Sequence, residues 1–97
     1  GPPVPTLADV PGLAQSSTPR QRLNPIKLQK MKDRQKEVED EIASRETAVA
    51  EHERELASFR SAEETQRRST EVEQHRARIE QLMTEWEELT ASIEAHQ

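Results

Sequence analysis

A chain of 97 residues with 34% charged and 31% hydrophobic side chains, one Trp and one Phe lacks the material for an ordinary globular core, which argues against a compact enzyme. Its two glycines, Gly1 and Gly12, cannot build a phosphate-cradling glycine-rich loop, and the absence of cysteine removes disulfide frameworks and thiolate metal sites. The net charge is −5 and no apolar run approaches the roughly 18 residues needed to cross a bilayer, so the chain reads as soluble, acidic and cytoplasmic.

Residues 1–22 hold five of the six prolines, with Ser16, Ser17 and Thr18, and their few aliphatics (Val4, Leu7, Val10, Leu13) follow no sustained period. They read as a disordered Pro-rich linker, with Gly1-Pro2 as the remnant of a removed tag. A helix start follows. Asn24 is a strong N-cap residue, Pro25 holds it extended and itself suits the first helical position, and Leu23 and Leu28 are spaced to close a hydrophobic staple.

From Leu28 onward apolar residues recur at alternating spacings of three and four: Leu28, Met31, Val38, Ile42, Val49, Leu56 and Phe59, with Gln35, Arg45 and His52 in the gaps. A second run carries the same rhythm through Val72, Ile79, Leu82, Trp86, Leu89 and Ile93, with His75 and His96 as polar members. Between Phe59 and Val72 only Ala62 is apolar, and two S/T-x-x-E capping patterns appear there, Ser61 to Glu64 and Thr70 to Glu73. The reading is a helix over about 25–60, a connection over about 61–69 and a second helix over about 70–96.

Two such seams form either an antiparallel hairpin or one long helix that dimerises. The hairpin is preferred, giving an all-α, two-helix antiparallel coiled coil over residues 23–97 that is monomeric in isolation. Two registers differ by one heptad. In the first, Phe59 faces Val72, Val49 faces Leu82, Arg45 lies over the Trp86 ring, Ile42 faces Leu89 and Val38 faces Ile93, leaving Leu28 and Met31 overhanging. In the second, Ile42 faces Leu82, Val38 faces Trp86 and Met31 faces Ile93, at the cost of setting Leu56 against Arg68. The first is favoured because it matches apolar with apolar.

Catalytic chemistry finds no footing. The many carboxylates fall on outward helix positions with no cleft to desolvate one of a pair. Trp86 lies on a seam, where a large ring is usually core. His52 and His75 also lie on the seams, but no four-ligand spacing accompanies them, so neither a metal nor any other cofactor is expected.

The stretches "RLNPIKLQKMKDRQKEVEDEI" and "IEQLMTEWEELTASIE" resemble the two arms of the C-terminal coiled-coil extension of Uup-like ABC-F ATPases, over about residues 22–95. The second arm of that family ends in an aliphatic, an aromatic, two polar residues and Trp-Glu-x-Leu; here Leu82, Met83, Thr84, Glu85, Trp86, Glu87, Glu88 and Leu89 stand in that order. Met83 departs from the pattern, and "ASFRSAEET" lacks the Asp-Pro frequent in the family's connecting loop. The resemblance implies a non-catalytic accessory arm of an ATPase that acts on translating ribosomes, the arm being implicated in binding nucleic acid, DNA or RNA.

Charge offers a separate view. Residues 20–36 carry Arg20, Arg22, Lys27, Lys30, Lys32, Arg34 and Lys36 against Asp33 alone, whereas residues 37–97 carry seven Arg against seventeen acids. The expectation is a basic collar at the hairpin base, holding a phosphate backbone weakly and non-specifically, above an acidic shaft. A smaller cluster, Arg60, Arg67 and Arg68, is read as solubilising the tip. The competing readings are that the lysines are a solvated face, and that the chain is a protein-interaction or oligomerisation coiled coil with no nucleic-acid role.

Overall fold

The computed structural model describes residues 24–97. The linker expected over 1–22, the staple residue Leu23, and Arg20 and Arg22 lie outside the described residues. Two long helices, α1 (Pro25–Leu56) and α2 (Ala62–Ala95), pack against each other as an antiparallel hairpin. Each is about 50 Å long at 1.5 Å per residue.

α1 begins as its sequence dictates. Asn24 has extended backbone, its side chain accepts hydrogen bonds from the Ile26 and Lys27 N–H groups, and Pro25 stands at the first helical position. The helix stops at Leu56, short of the expected end at residue 60. The N–H groups of Ala57 and Ser58 bond back to carbonyls of the last turn, and Arg60 pairs with Glu55 at 2.9 Å to close the bend. Phe59, expected on the seam, therefore sits in the connection and is 76% exposed.

Of the two capping patterns, the chain uses the earlier. The Ser61 side chain accepts from the Glu64 N–H at 3.0 Å, and α2 runs unbroken from Ala62 through Thr70. The segment that sequence polarity marks as a connection is helical because its residues stabilise one another one turn apart. Arg68 pairs with Glu64 at 3.0 Å, Arg67 with Glu71 at 3.4 Å, and Gln66 donates to Thr70 at 3.2 Å. A polar seam is not a helix break.

Every seam position of α1 from Leu28 to Leu56 and of α2 from Val72 to His96 is buried or half-buried. Among the described residues only Val38, Val49, Leu82 and Ile93 are buried, so the core is narrow. The register is the second of the two considered. Gln35 donates to Thr90, Trp86 Nε1 donates to Glu39, Arg34 pairs with Glu85, and Arg68 reaches His52. All of these contacts lie one heptad away from the register favoured on apolar matching. Leu28 and Met31 therefore do not overhang, and Arg45 does not lie on Trp86; it pairs with Glu41 at 2.8 Å and donates to His75 Nδ1 at 3.2 Å.

The feared layer of Leu56 and Arg68 is satisfied rather than avoided. Arg68 donates to Glu64 and to His52 Nδ1, while His52 Nε2 meets Glu71 at 2.8 Å. The long stem of an arginine covers apolar surface while its head stays hydrogen-bonded.

Candidate nucleic-acid interface

The collar divides into two groups once the side chains are placed. Arg34 forks onto both oxygens of Glu85, at 2.7 and 2.9 Å, and also reaches Glu37 at 3.3 Å. Lys36 holds Asp40 at 2.7 Å. These carboxylates raise both cations above their ordinary pKa values, Glu85 ahead of Glu37 for Arg34 and Asp40 for Lys36. Both cations are spoken for within the hairpin, and Arg34 serves as a clamp between α1 and α2.

Lys27, Lys30 and Lys32 differ. All three are exposed, and among the described residues none takes part in an ion pair. Asp33, the one acid nearby in sequence, accepts instead from Gln29 Nε2 at 2.9 Å. Lys27 and Lys30 lie on one flank of the seam and Lys32 on the other, so the two short basic rows expected from spacing survive in shortened form. The helix N-terminus adds less than expected, because Asn24 already occupies the Ile26 and Lys27 N–H groups. Any attraction for anions rests on the lysine heads.

The tip arginines are paired within the hairpin, and Arg68 is half-buried in the seam rather than a solvated tip residue. Arg60, Arg67 and Arg68 are paired with Glu55, Glu71 and Glu64. Their charge is largely answered within the hairpin. Among the described residues, no group of three or more His, Cys, Asp and Glu side chains is arranged to hold a metal ion, and no helix is long and apolar enough to cross a membrane.

Sequence reasoning missed the inter-helix ion pairs, Arg34 to Glu85, Arg78 to Glu41 and Arg76 to Glu53, because each depends on register. Ion pairs both within and between the helices carry a pH consequence. Hydrogen bonds from Arg45, Arg68 and Arg34 hold Glu41, Glu64 and Glu85 below the ordinary carboxylate range. A carboxylate with a lowered native pKa contributes stability that is fully present above its unfolded pKa, about 4.3, and is lost as pH falls through the native value. Thermal melts followed by circular dichroism should show a plateau from pH 6 to 7 and a falling midpoint below about pH 4. An unchanged midpoint at pH 3 would deny these pairs any role.

No family model, curated protein or solved structure matches the chain.

Proposed function

We propose that the hairpin is an accessory arm that contacts nucleic acid or the ribosome, attached to an ATPase of the ABC-F type, and that it holds phosphate backbone through the start of α1. The observation that carries this reading is the set of exposed lysines, Lys27, Lys30 and Lys32, without carboxylate partners while, among the described residues, every other cation but Arg54 is paired. The resemblance of both arms to the ABC-F extension supplies the parent protein and the partner class. In the intact protein this reading calls for two ATP-binding cassettes ahead of the hairpin.

The lysines act on phosphates as point charges and read no base edges, and the exposed seam margins near them offer no aromatic ring for stacking. Binding is therefore weak and insensitive to sequence, with a dissociation constant around 10⁻⁴ to 10⁻⁶ M. Three phosphate contacts give a log-log salt slope near about −2.7, and Arg20 and Arg22, if they join, steepen it. The acidic shaft confines contact to the base of the hairpin.

The test is a titration of a labelled duplex, DNA or RNA, with the full chain at low salt. Lys27→Glu/Lys30→Glu/Lys32→Glu should lose binding altogether, whereas Arg60→Glu/Arg67→Glu should matter little. Arg68 is left intact because its side chain is built into the seam beside His52. Equal binding by the lysine-reversed chain would sink the base-contact reading.

A further inference from the structure

The two margins of the helix seam are unlike. One is zipped by Arg34 to Glu85 and by Glu41, which is shared between Arg45 and Arg78. The other is open. Two adjoining hollows of about 330 and 340 Å³ run along it, sharing Glu46 and Met83. Their floor is apolar, formed by Ile42, Val49, Ile79, Met83 and Trp86, and Met83 is 50% exposed. Glu39, Glu46, Glu80 and Glu87 stand along the rim.

None of these four carboxylates belongs to an ion pair among the described residues. Glu39 accepts from Trp86 Nε1 at 2.8 Å, which tethers the indole at the trough, and it retains an oxygen for another donor. Arg76 lines the tip end but is committed to Glu53. An apolar strip flanked by these four unpaired carboxylates, two from each helix, makes the trough both apolar and negatively charged.

We propose that this trough docks a basic amphipathic helix of a partner protein. From Glu39 to Val49 it runs about 15 Å along α1, room for nearly three turns of a helix that presents aliphatic residues at i, i+3 or i+4 and i+7. Lysine or arginine residues on both sides of that stripe meet Glu39 and Glu46 on α1 and Glu80 and Glu87 on α2. Met83, unbranched and polarisable, adapts to the knob placed over it, and Trp86 supplies the large rigid contact that anchors such interfaces. Charge complementarity selects this occupant over an acidic helix, and the apolar floor selects it over a merely polycationic chain. The inference is independent of the lysines at the start of α1, which lie beyond the trough.

Trp86 is the chain's one tryptophan, so its emission reports on the site directly. The full chain is titrated with a synthetic Leu/Lys peptide of about 18 residues whose leucines repeat at helical spacing. A Leu/Glu peptide with the same stripe, and a Lys-rich peptide lacking the stripe, serve as controls. Expected are a blue shift of Trp86 emission with the Leu/Lys peptide alone and a weakening of at least about tenfold in Glu46→Lys/Glu80→Lys/Glu87→Lys and in Met83→Glu. Circular dichroism checks that each variant keeps its helices. Equal binding of either control peptide, or undiminished binding by the charge-reversed chain, overturns the proposal. Sedimentation showing a dimer of the chain that Met83→Glu dissociates would give the trough to a second copy and overturn it as well.

Discussion

Leu82→Ala should cost about 3 kcal/mol and lower the thermal midpoint of the hairpin by at least about 12 °C. Leu82 is wholly sealed from solvent, as only Val38 is besides it among the described residues. It lies in the middle of α2, where the opposing α1 cannot bend inward to fill the space it leaves. A hairpin whose core is this narrow is expected to be stable by about 5 kcal/mol or less, so this substitution removes most of the margin. Urea denaturation followed at the helical circular dichroism band measures it. Met83→Ala, one residue on and half exposed, is the control and should shift stability by less than about 1 kcal/mol. If both variants melted like the parent, Leu82 would not be a sealed core residue.

The hairpin was legible in the spacing of apolar residues, because burial in a two-helix coil is decided almost wholly by which residues face the partner. Asn24 and Pro25 were legible for a similar reason: capping is a local interaction, complete within four residues. The connection was read too late in the chain. Polarity alone marks a break there, although Glu64 with Arg68 and Arg67 with Glu71 are the i to i+4 pairs that stabilise a helix without any apolar face.

Register was the consequential miss, and its signal lay beside the seam rather than on it. With Ile42 facing Leu82, the flanking positions set Arg34 by Glu85, Glu41 by Arg78 and Glu53 by Arg76, three attractive pairs that all form. The alternative register sets Glu41 beside Glu85 and Glu53 beside Met83, exchanging attraction for repulsion or nothing. Apolar matching alone prefers that alternative, since it spares Leu56 from Arg68. Flanking charges specify partner and orientation in coiled coils, so they outweigh one imperfect layer whose polar heads are satisfied. The trough was not legible in the sequence for the same reason: which residues of α1 stand opposite Glu80, Met83 and Glu87 of α2 is set by the register, and here they are Glu39 and Glu46. The collar, by contrast, was legible as a cluster in sequence but not in its division, because whether Arg34 is free depends on a residue 51 positions away.

The register admits a covalent test with a large effect. Gln35 and Leu89 belong to one layer, next to the Gln35 to Thr90 hydrogen bond, and both are half-buried, so cysteines there leave no sealed cavity. Gln35→Cys/Leu89→Cys should oxidise readily in the monomer. Closing a loop of about 54 residues should then stabilise the hairpin by up to about 4 kcal/mol over its reduced form, nearly doubling its stability. Ile42→Cys/Leu89→Cys uses the same second cysteine but displaces the first by one heptad, about 10.5 Å along the helix axis. That exceeds the roughly 7 Å between Cα atoms that a disulfide tolerates, so this pair should stay reduced or cross-link only between chains. Thiol titration and non-reducing electrophoresis read the outcome, and melts with and without reductant read the stabilisation. Rapid intramolecular closure of the 42/89 pair with none of the 35/89 pair would establish the other heptad, and with it would fall both the Arg34 to Glu85 clamp and the trough on the opposite margin.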